Sequence, residues 1–219
     1  MQVRELFSGI YMIDNRLATA NLARGKKTYG EDLITENRTE YRSWNPYRSK
    51  LSAAILNGIK NVKIERGSSV LYLGAATGTT VSHVSDIVGA YGRVYAVELS
   101  ERNVRNLIAL CESRRNIIPI LSDARYIEGY SGSVDLCDVI YQDISARRQA
   151  EILLANSSML KRGGYAYFVI KSQSIDISKS PKDVYRNELA LLKEGFELVE
   201  QVSLEPYDSM HLFVVLRKL

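Results

Sequence analysis

The sequence predicts an α/β fold: a mostly parallel, seven-stranded sheet closed by an antiparallel C-terminal hairpin, with a small β region ahead of it. Three observations carry this. Past residue 69, short continuous apolar runs alternate with helical stretches, the pattern of parallel strands buried on both faces. The first such run leads into a glycine loop, "VLYLGAATGTT" at residues 70–80, where an open α/β sheet places its ligand. The last two runs are joined by only "EPYDSM". That connection is too short for a helical crossover, so the two pair as a hairpin and one of them runs against the rest.

The elements follow in order. "GIYMIDNRLATANL", "TYGEDLIT" and "ENRTEYRSW" are short β-type runs broken by Asp-Asn, Gly and Asn, and predict a small β-hairpin region over residues 1–50. Residues 51–219 form the sheet domain. Its first strand covers residues 70–73, and a helix then runs to about Val88. "RVYAVEL" reads as a strand and residues 101–114 as a helix; "NIIPILS" and "VDLCDVIYQDI" are further strands. A helix is expected over about 146–160, then the strand "GGYAYFVIK" after a glycine pair. Pro181 suits the first turn of a helix that continues to Lys193. "FELVEQVSL" and "HLFVVLRKL" close the chain. A parallel sheet ending in this hairpin is the Rossmann-like shape of the class I S-adenosylmethionine-dependent methyltransferases.

Composition narrows the class. In 219 residues, 46% are hydrophobic and 25% charged, enough apolar side chain for a large core without cross-links. The two cysteines, Cys111 and Cys137, make no disulfide framework and read as reduced, buried thiols; with only two histidines, no metal centre is expected. No run is long enough to span a bilayer, and "MQVRELFSGIYMIDNRL" interrupts every apolar stretch, so neither membrane nor leader is expected. A formal charge of +4 is compatible with a nucleic-acid partner without demonstrating one.

The loop chemistry bears on the ligand. Gly74 and Gly78 stand four apart, with Ala75 and Ala76 where a dinucleotide loop needs a glycine for pyrophosphate to approach, and no lysine follows as in a phosphate loop. A ligand without phosphates fits better. S-adenosylmethionine is one, its amino-acid end met by loop backbone and by Thr79 and Thr80. Glu98, at the end of the second sheet strand, suits the ribose hydroxyls. Asp123, in "SDAR", suits the adenine amino group, with the Ala124 amide beside it. NAD remains the main alternative, because a ribose-binding carboxylate serves both.

Three further groups stand at strand ends on the cofactor edge or beside them: Asp143 in "YQDI", Lys171 in "VIKS" and His211 in "DSMHLF". Lys50, in "YRSWNPYRSKLSAAI", opens a helix leading into the sheet domain. A ribose hydroxyl is a very weak acid and needs a base or a cation for its developing charge. A lysine whose pKa is lowered by burial and a neighbouring cation could take the proton, with a carboxylate to orient it. Arg42 and Arg48 cluster beside Lys50 and suit phosphate contact. Arg147 and Arg148 could line the same path, while Arg114 and Arg115 read as solvated charge. His83 reads as a packing or helix-surface residue and Trp44 as core.

The segments "YRSWNPYRSKLSAAI", "VLYLGAATGTTVSHVSDIVG", "VYAVELS", "SDAR", "YQDIS" and "VIKSQSID", in this order over nearly the whole chain, resemble the fibrillarin family in its short archaeal form without a Gly/Arg-rich N-terminal region. The resemblance implies transfer of a methyl group from S-adenosyl-L-methionine to the ribose 2′-hydroxyl of rRNA, and of tRNA, at sites chosen by box C/D guide RNA. It puts Lys50, Asp143, Lys171 and His211 on the family's catalytic set. Its cofactor contacts fall on Thr79, Thr80, Glu98, Leu99, Asp123, Ala124 and the strand-end turn of Asp143, Ile144, Ser145 and Ala146, beside the loop backbone of Gly74 and Ala75 already expected to meet the cofactor. Ala146 departs from the pattern, which carries glutamine there, leaving only its backbone to make that contact. The implied partners are a Nop-type scaffold protein and, indirectly, a kink-turn-binding ribosomal-type protein; the implied location is cytoplasmic. The chain contains nothing like an RRM, KH or cold-shock module, so target choice has to come from a guide. Three rivals stand beside this reading: a methyltransferase acting on a more acidic nucleophile, a catalytically silent RNP subunit, and a dehydrogenase.

Overall fold

A computed structural model describes residues 2–219. The N-terminal residues form β1 (Val3–Phe7), β2 (Ile10–Ile13), β3 (Arg16–Ala20), β4 (Leu33–Glu36) and β5 (Thr39–Ser43). These make a five-stranded antiparallel sheet in the order β1-β2-β3-β5-β4, larger than the hairpin the sequence suggested. The reason is local. Asp14-Asn15 and Asn37-Arg38 both take positive φ, the two-residue turn that matches strand twist, so each closes its own hairpin. The stretch between β3 and β4 then lets β5 return beside β3.

The chain continues through α1 (Lys50–Leu56), β6 (Ser69–Leu73), α2 (Thr79–Val88), β7 (Arg93–Glu98), α3 (Glu101–Cys111), β8 (Ile117–Leu121), β9 (Cys137–Gln142), α4 (Gln149–Asn156), β10 (Leu160–Lys171), α5 (Ser172–Ile175), α6 (Pro181–Leu192), β11 (Phe196–Ser203) and β12 (His211–Lys218). The second sheet has seven strands in the order β11-β12-β10-β9-β6-β7-β8. All its pairings are parallel except those of β12, which runs against β10 and β11. Two predicted bounds shift. The helix foreseen over 146–160 is the shorter α4, because Gln149 Nε2 donates to the Ala146 carbonyl and holds residues 143–148 as a loop. The strand foreseen from the glycine pair starts at Leu160.

Apolar strand residues alternate between two cores, as the pleat requires. Val70, Tyr72, Val94, Tyr141 and Tyr167 pack on one side with α1 and α2; Leu71, Leu73, Ile140, Phe168 and Ile170 pack on the other with α4 and α6. The N-terminal sheet docks on α2 through buried polar groups and through Ile10 and Leu17, which join the apolar core of α2, and the Trp44 indole stacks on His83 with centroids 4.7 Å apart.

Candidate active site

The C-terminal ends of β6, β7, β8 and β9 open onto one cavity of about 810 Å³, large enough for a nucleoside-sized ligand. Gly74 explains how the loop passes beneath it. Its φ is +86°, and a Cβ there would come 2.5 Å from the Asp143 carbonyl oxygen. Only glycine lets two strand ends approach so closely. Glu98 is held in place: Oε2 accepts from the Ala76 amide at 2.8 Å, and Oε1 from the Ser100 amide at 2.9 Å. Asp123 is clasped by Arg125 Nε and Nη2, which holds its carboxyl below the usual carboxylate range. Leu99 lines the cavity with an unusually exposed apolar side chain, and Ile144 and Ala124 line it too.

Nine of the twelve cofactor positions named above line this cavity: Gly74, Glu98, Leu99, Asp123, Ala124, Asp143, Ile144, Ser145 and Ala146. Ala75 is buried, its amide donating to the Val97 carbonyl. Thr80 is buried too and gives its hydroxyl to Ser49 Oγ at 3.0 Å. Thr79 lines a second cleft on the other side of the loop. The donor set fits an adenosyl ligand: a carboxylate at each of two successive strand ends, apolar side chains between them, and a glycine floor.

At the edge of this cavity Asp143 lies between two lysines. Its Oδ1 is 2.8 Å from Lys171 Nζ and its Oδ2 is 3.2 Å from Lys50 Nζ. Lys171 Nζ also donates to the Asp143 carbonyl and to Ser145 Oγ, each at 3.2 Å. The Lys171–Asp143 Oδ1 approach is an ion pair without hydrogen-bond alignment, which leaves that buried oxygen short of a donor. Burial pushes the Asp143 carboxyl up, but the two ammonium groups outweigh it and hold it below its ordinary value. Burial likewise draws Lys50 down, while Asp143 and Asp208 outweigh it and leave it raised. Lys50 is therefore a fixed cation, not a lysine depressed toward accepting a proton. His211 stands directly across from Lys171 in the β10–β12 register. Its Nδ1 is 2.6 Å from Asp208 Oδ1, and Asp208 Oδ2 is 3.5 Å from Lys50 Nζ.

Sequence reasoning missed Asp208. It sits three residues before His211 in the β11–β12 connection, and that short acidic turn beside a strand-end histidine was the available signal. Two arginine assignments change. Arg42 is not a phosphate contact. It is wholly buried, paired with Glu31 at 2.6 Å and Asp86 at 2.8 Å, because β5 points it inward at α2. Arg114 is not a solvated charge either; it is buried 2.7 Å from the other oxygen of Asp86. Arg48 is exposed, its guanidinium 5.4 Å from the Tyr29 ring centroid. Arg147 and Arg148 are exposed and line the cofactor cavity. His83 is core, not helix surface. Cys137 is buried and Cys111 half-buried, both free. Among the described residues no cluster of three His, Cys, Asp or Glu side chains could hold a metal, and no helix is long and apolar enough to cross a membrane.

The sequence profile of the Fibrillarin family matches residues 1–218. The chain belongs to the fibrillarin family. A Pyrococcus furiosus relative named fibrillarin-like rRNA/tRNA 2′-O-methyltransferase is 49% identical over 218 residues, covering 97% of this chain and 96% of its own. The solved structure of Aeropyrum pernix fibrillarin with natively bound S-adenosyl-L-methionine superposes with a TM-score of 0.91 at 40% identity, covering 99% of this chain and 98% of that one. A fibrillarin/Nop5p complex contains a chain matching at a TM-score of 0.89 and 39% identity, over 99% of this chain and 100% of that chain. Both sheets described above therefore belong to the fibrillarin fold, the N-terminal one included.

Proposed function

We infer that this chain transfers a methyl group from S-adenosyl-L-methionine to ribose 2′-hydroxyls of rRNA and tRNA, within a box C/D guide particle. The observation that carries it is the Lys50–Asp143–Lys171 cluster at the rim of a cavity built for an adenosyl ligand. The relatives' names and the cofactor of the Aeropyrum structure support the same reading. Glu98, Asp123, Leu99 and the Gly74 floor would hold the cofactor, and when bound it supplies an electrophilic methyl on a sulfonium.

The chain's own residues answer the weak acidity of the ribose hydroxyl. Lys171 is the group placed to stabilise the developing oxyanion as its ammonium or, once it has given its own proton to solvent, to take the hydroxyl's. Asp143 fixes Lys171 and keeps the region from accumulating two uncompensated cations. Lys50 and His211, tied together by Asp208, hold the ribose and its phosphate, with Arg48 as a further phosphate contact. A more acidic nucleophile would need no such set, which disfavours a small-molecule methyltransferase. In this reading residues 51–219 do the chemistry together with Lys50 at their border, and the rest of residues 1–50 support it. The partners are guide and target RNA, a Nop-type scaffold as in the Nop5p complex, and through it a kink-turn-binding protein; the location we propose is cytoplasmic.

The test is methyl transfer from labelled S-adenosylmethionine in a reconstituted guide particle, followed by alkaline hydrolysis. Label in an alkali-resistant dinucleotide at the guided position is the expected result. Lys171→Ala should reduce it by at least about 100-fold, the lower range for losing a positioned acid–base group, with cofactor affinity kept within a few-fold. Label elsewhere in the RNA, or none despite cofactor binding, would remove the ribose claim.

A further inference from the structure

A second cleft, of about 720 Å³, lies on the other side of the glycine loop from the cofactor cavity. Lys26 and Lys27 form one wall and Arg48 another, with Thr77 and Thr79 at the loop end. All three cations are exposed, and none has a carboxylate within ion-pair distance among the described residues. Glu112 is the one acidic group lining the cleft.

The lysines ride on a connection without regular structure, between β3 and β4, yet that connection is tied down. Glu31 accepts from the Thr28 and Tyr29 amides at 2.9 and 2.8 Å, Glu40 accepts from the Gly25 amide at 2.8 Å, and Asn21 Nδ2 donates to the Lys26 carbonyl at 3.2 Å. Arg42 completes this by donating to Thr28 Oγ1 at 3.0 Å while paired with Glu31. Arg48 is braced against the Tyr29 ring from the opposite wall. The backbone that carries Lys26 and Lys27 is therefore fixed before an anion arrives, so less chain ordering is needed on binding than for a mobile loop. Chain neighbours and one hydrogen bond link the cleft to the proposed catalytic cluster. Thr79 precedes Thr80, whose hydroxyl bonds to Ser49, and Ser49 lies between Arg48 and Lys50.

We propose that this cleft holds a phosphodiester of the target RNA's backbone, adjacent to the ribose presented to Lys171; this rests on the ribose-methylation reading above. Phosphate groups match two lysines on a fixed backbone and a guanidinium facing them, and such contacts set the register of a nucleic acid without reading its sequence.

The test is steady-state transfer in the reconstituted guide particle as target RNA and salt are varied, with cofactor affinity measured alongside. Lys26→Ala/Lys27→Ala should raise KM for target RNA about tenfold and leave the S-adenosylmethionine Kd within twofold. The slope of log KM against log salt should flatten by about 0.7–0.9 for each phosphate no longer neutralised. Lys26→Arg/Lys27→Arg should restore both, and Arg48→Ala should repeat the loss from the opposite wall. An unchanged KM and salt slope in the alanine variants, with the wild type active, overturns the cleft assignment alone. A wild type that transfers no methyl to RNA overturns the function reading, and this proposal with it.

Discussion

At Gly74 the backbone sits at φ +86° with the Asp143 carbonyl oxygen 2.5 Å from where a Cβ would stand. A left-handed backbone costs an L-residue about 1–2 kcal/mol, and the close approach forces a shift beyond that. The shift falls on Asp143, whose carboxylate lies between Lys50 and Lys171. Gly74→Ala should therefore lower the melting temperature by at least about 2–8 °C, the backbone cost alone at the 2–4 °C per kcal/mol expected for this chain length. Transfer should fall by more than tenfold, since a displacement near 1 Å at a reacting group costs on the order of 100-fold. A variant that melts and turns over like the wild type would show that the two strand ends have slack. Asp208 makes a related point: one carboxylate meeting both Lys50 and His211 couples two side chains that stand far apart in the sequence.

Helix α2 carries both the loop that meets the ligand and the face that meets the N-terminal sheet. On that face Asp86 takes Arg42 from β5 on one oxygen and Arg114, just after α3, on the other, all three buried. Thr19 of β3 donates to the same carboxylate at 2.8 Å. Removing one member of a buried ionic network costs more than the network adds, because the survivors stay buried and uncompensated. Asp86→Asn leaves Arg114 without a carboxylate and Arg42 with Glu31 alone, and should destabilise by about 3–5 kcal/mol, read from the denaturant midpoint at constant m. A loss below about 1 kcal/mol would mean that water or Glu31 takes up the charge. None of this was legible in the sequence. Arg42 stands near Arg48 and Lys50 and reads as part of one basic patch, while Glu31 and Asp86 lie 11 and 44 residues away with no periodicity linking them. Strand-end groups such as Glu98, Asp143 and Lys171 were legible because each closes an apolar run whose direction the fold class dictates.

Over the whole molecule, the seven-stranded sheet and its hairpin followed from periodicity and one short connection, whereas the junction between the sheets follows from polar groups meeting across long separations. His83 lies at that junction and makes the whole chain's stability depend on pH. Thr19 gives its hydroxyl proton to Asp86, so a neutral His83 donates from Nδ1 to Thr19 at 2.8 Å and accepts at Nε2 from the Tyr29 hydroxyl at 2.7 Å, a nearer acceptor for that proton than the Ser43 carbonyl at 3.1 Å. This is a neutral imidazole satisfied on both sides. Burial, with Arg42 and Arg114 nearby, draws its pKa well below the ordinary value. Burial also pushes the Tyr29 phenol up to about 12, so that donor stays protonated. Below about pH 6.5 the unfolded chain binds a proton that the folded chain refuses, so stability falls as pH falls. The loss is about 1.4 kcal/mol by pH 5.5 and grows until the folded pKa is reached. The paired carboxylates Asp143 and Glu31, whose pKa values are lowered, act in the same direction only below about pH 4.3. Denaturant midpoints between pH 7.5 and 5.0 should therefore slope down on the acid side above the range of the carboxylates, and His83→Gln should remove that slope while lowering the midpoint throughout. A wild type with flat midpoints down to pH 5.0 would mean that the folded chain takes up the His83 proton over the same pH range as the unfolded one, and the Thr19–His83–Tyr29 arrangement would then need a different donor order.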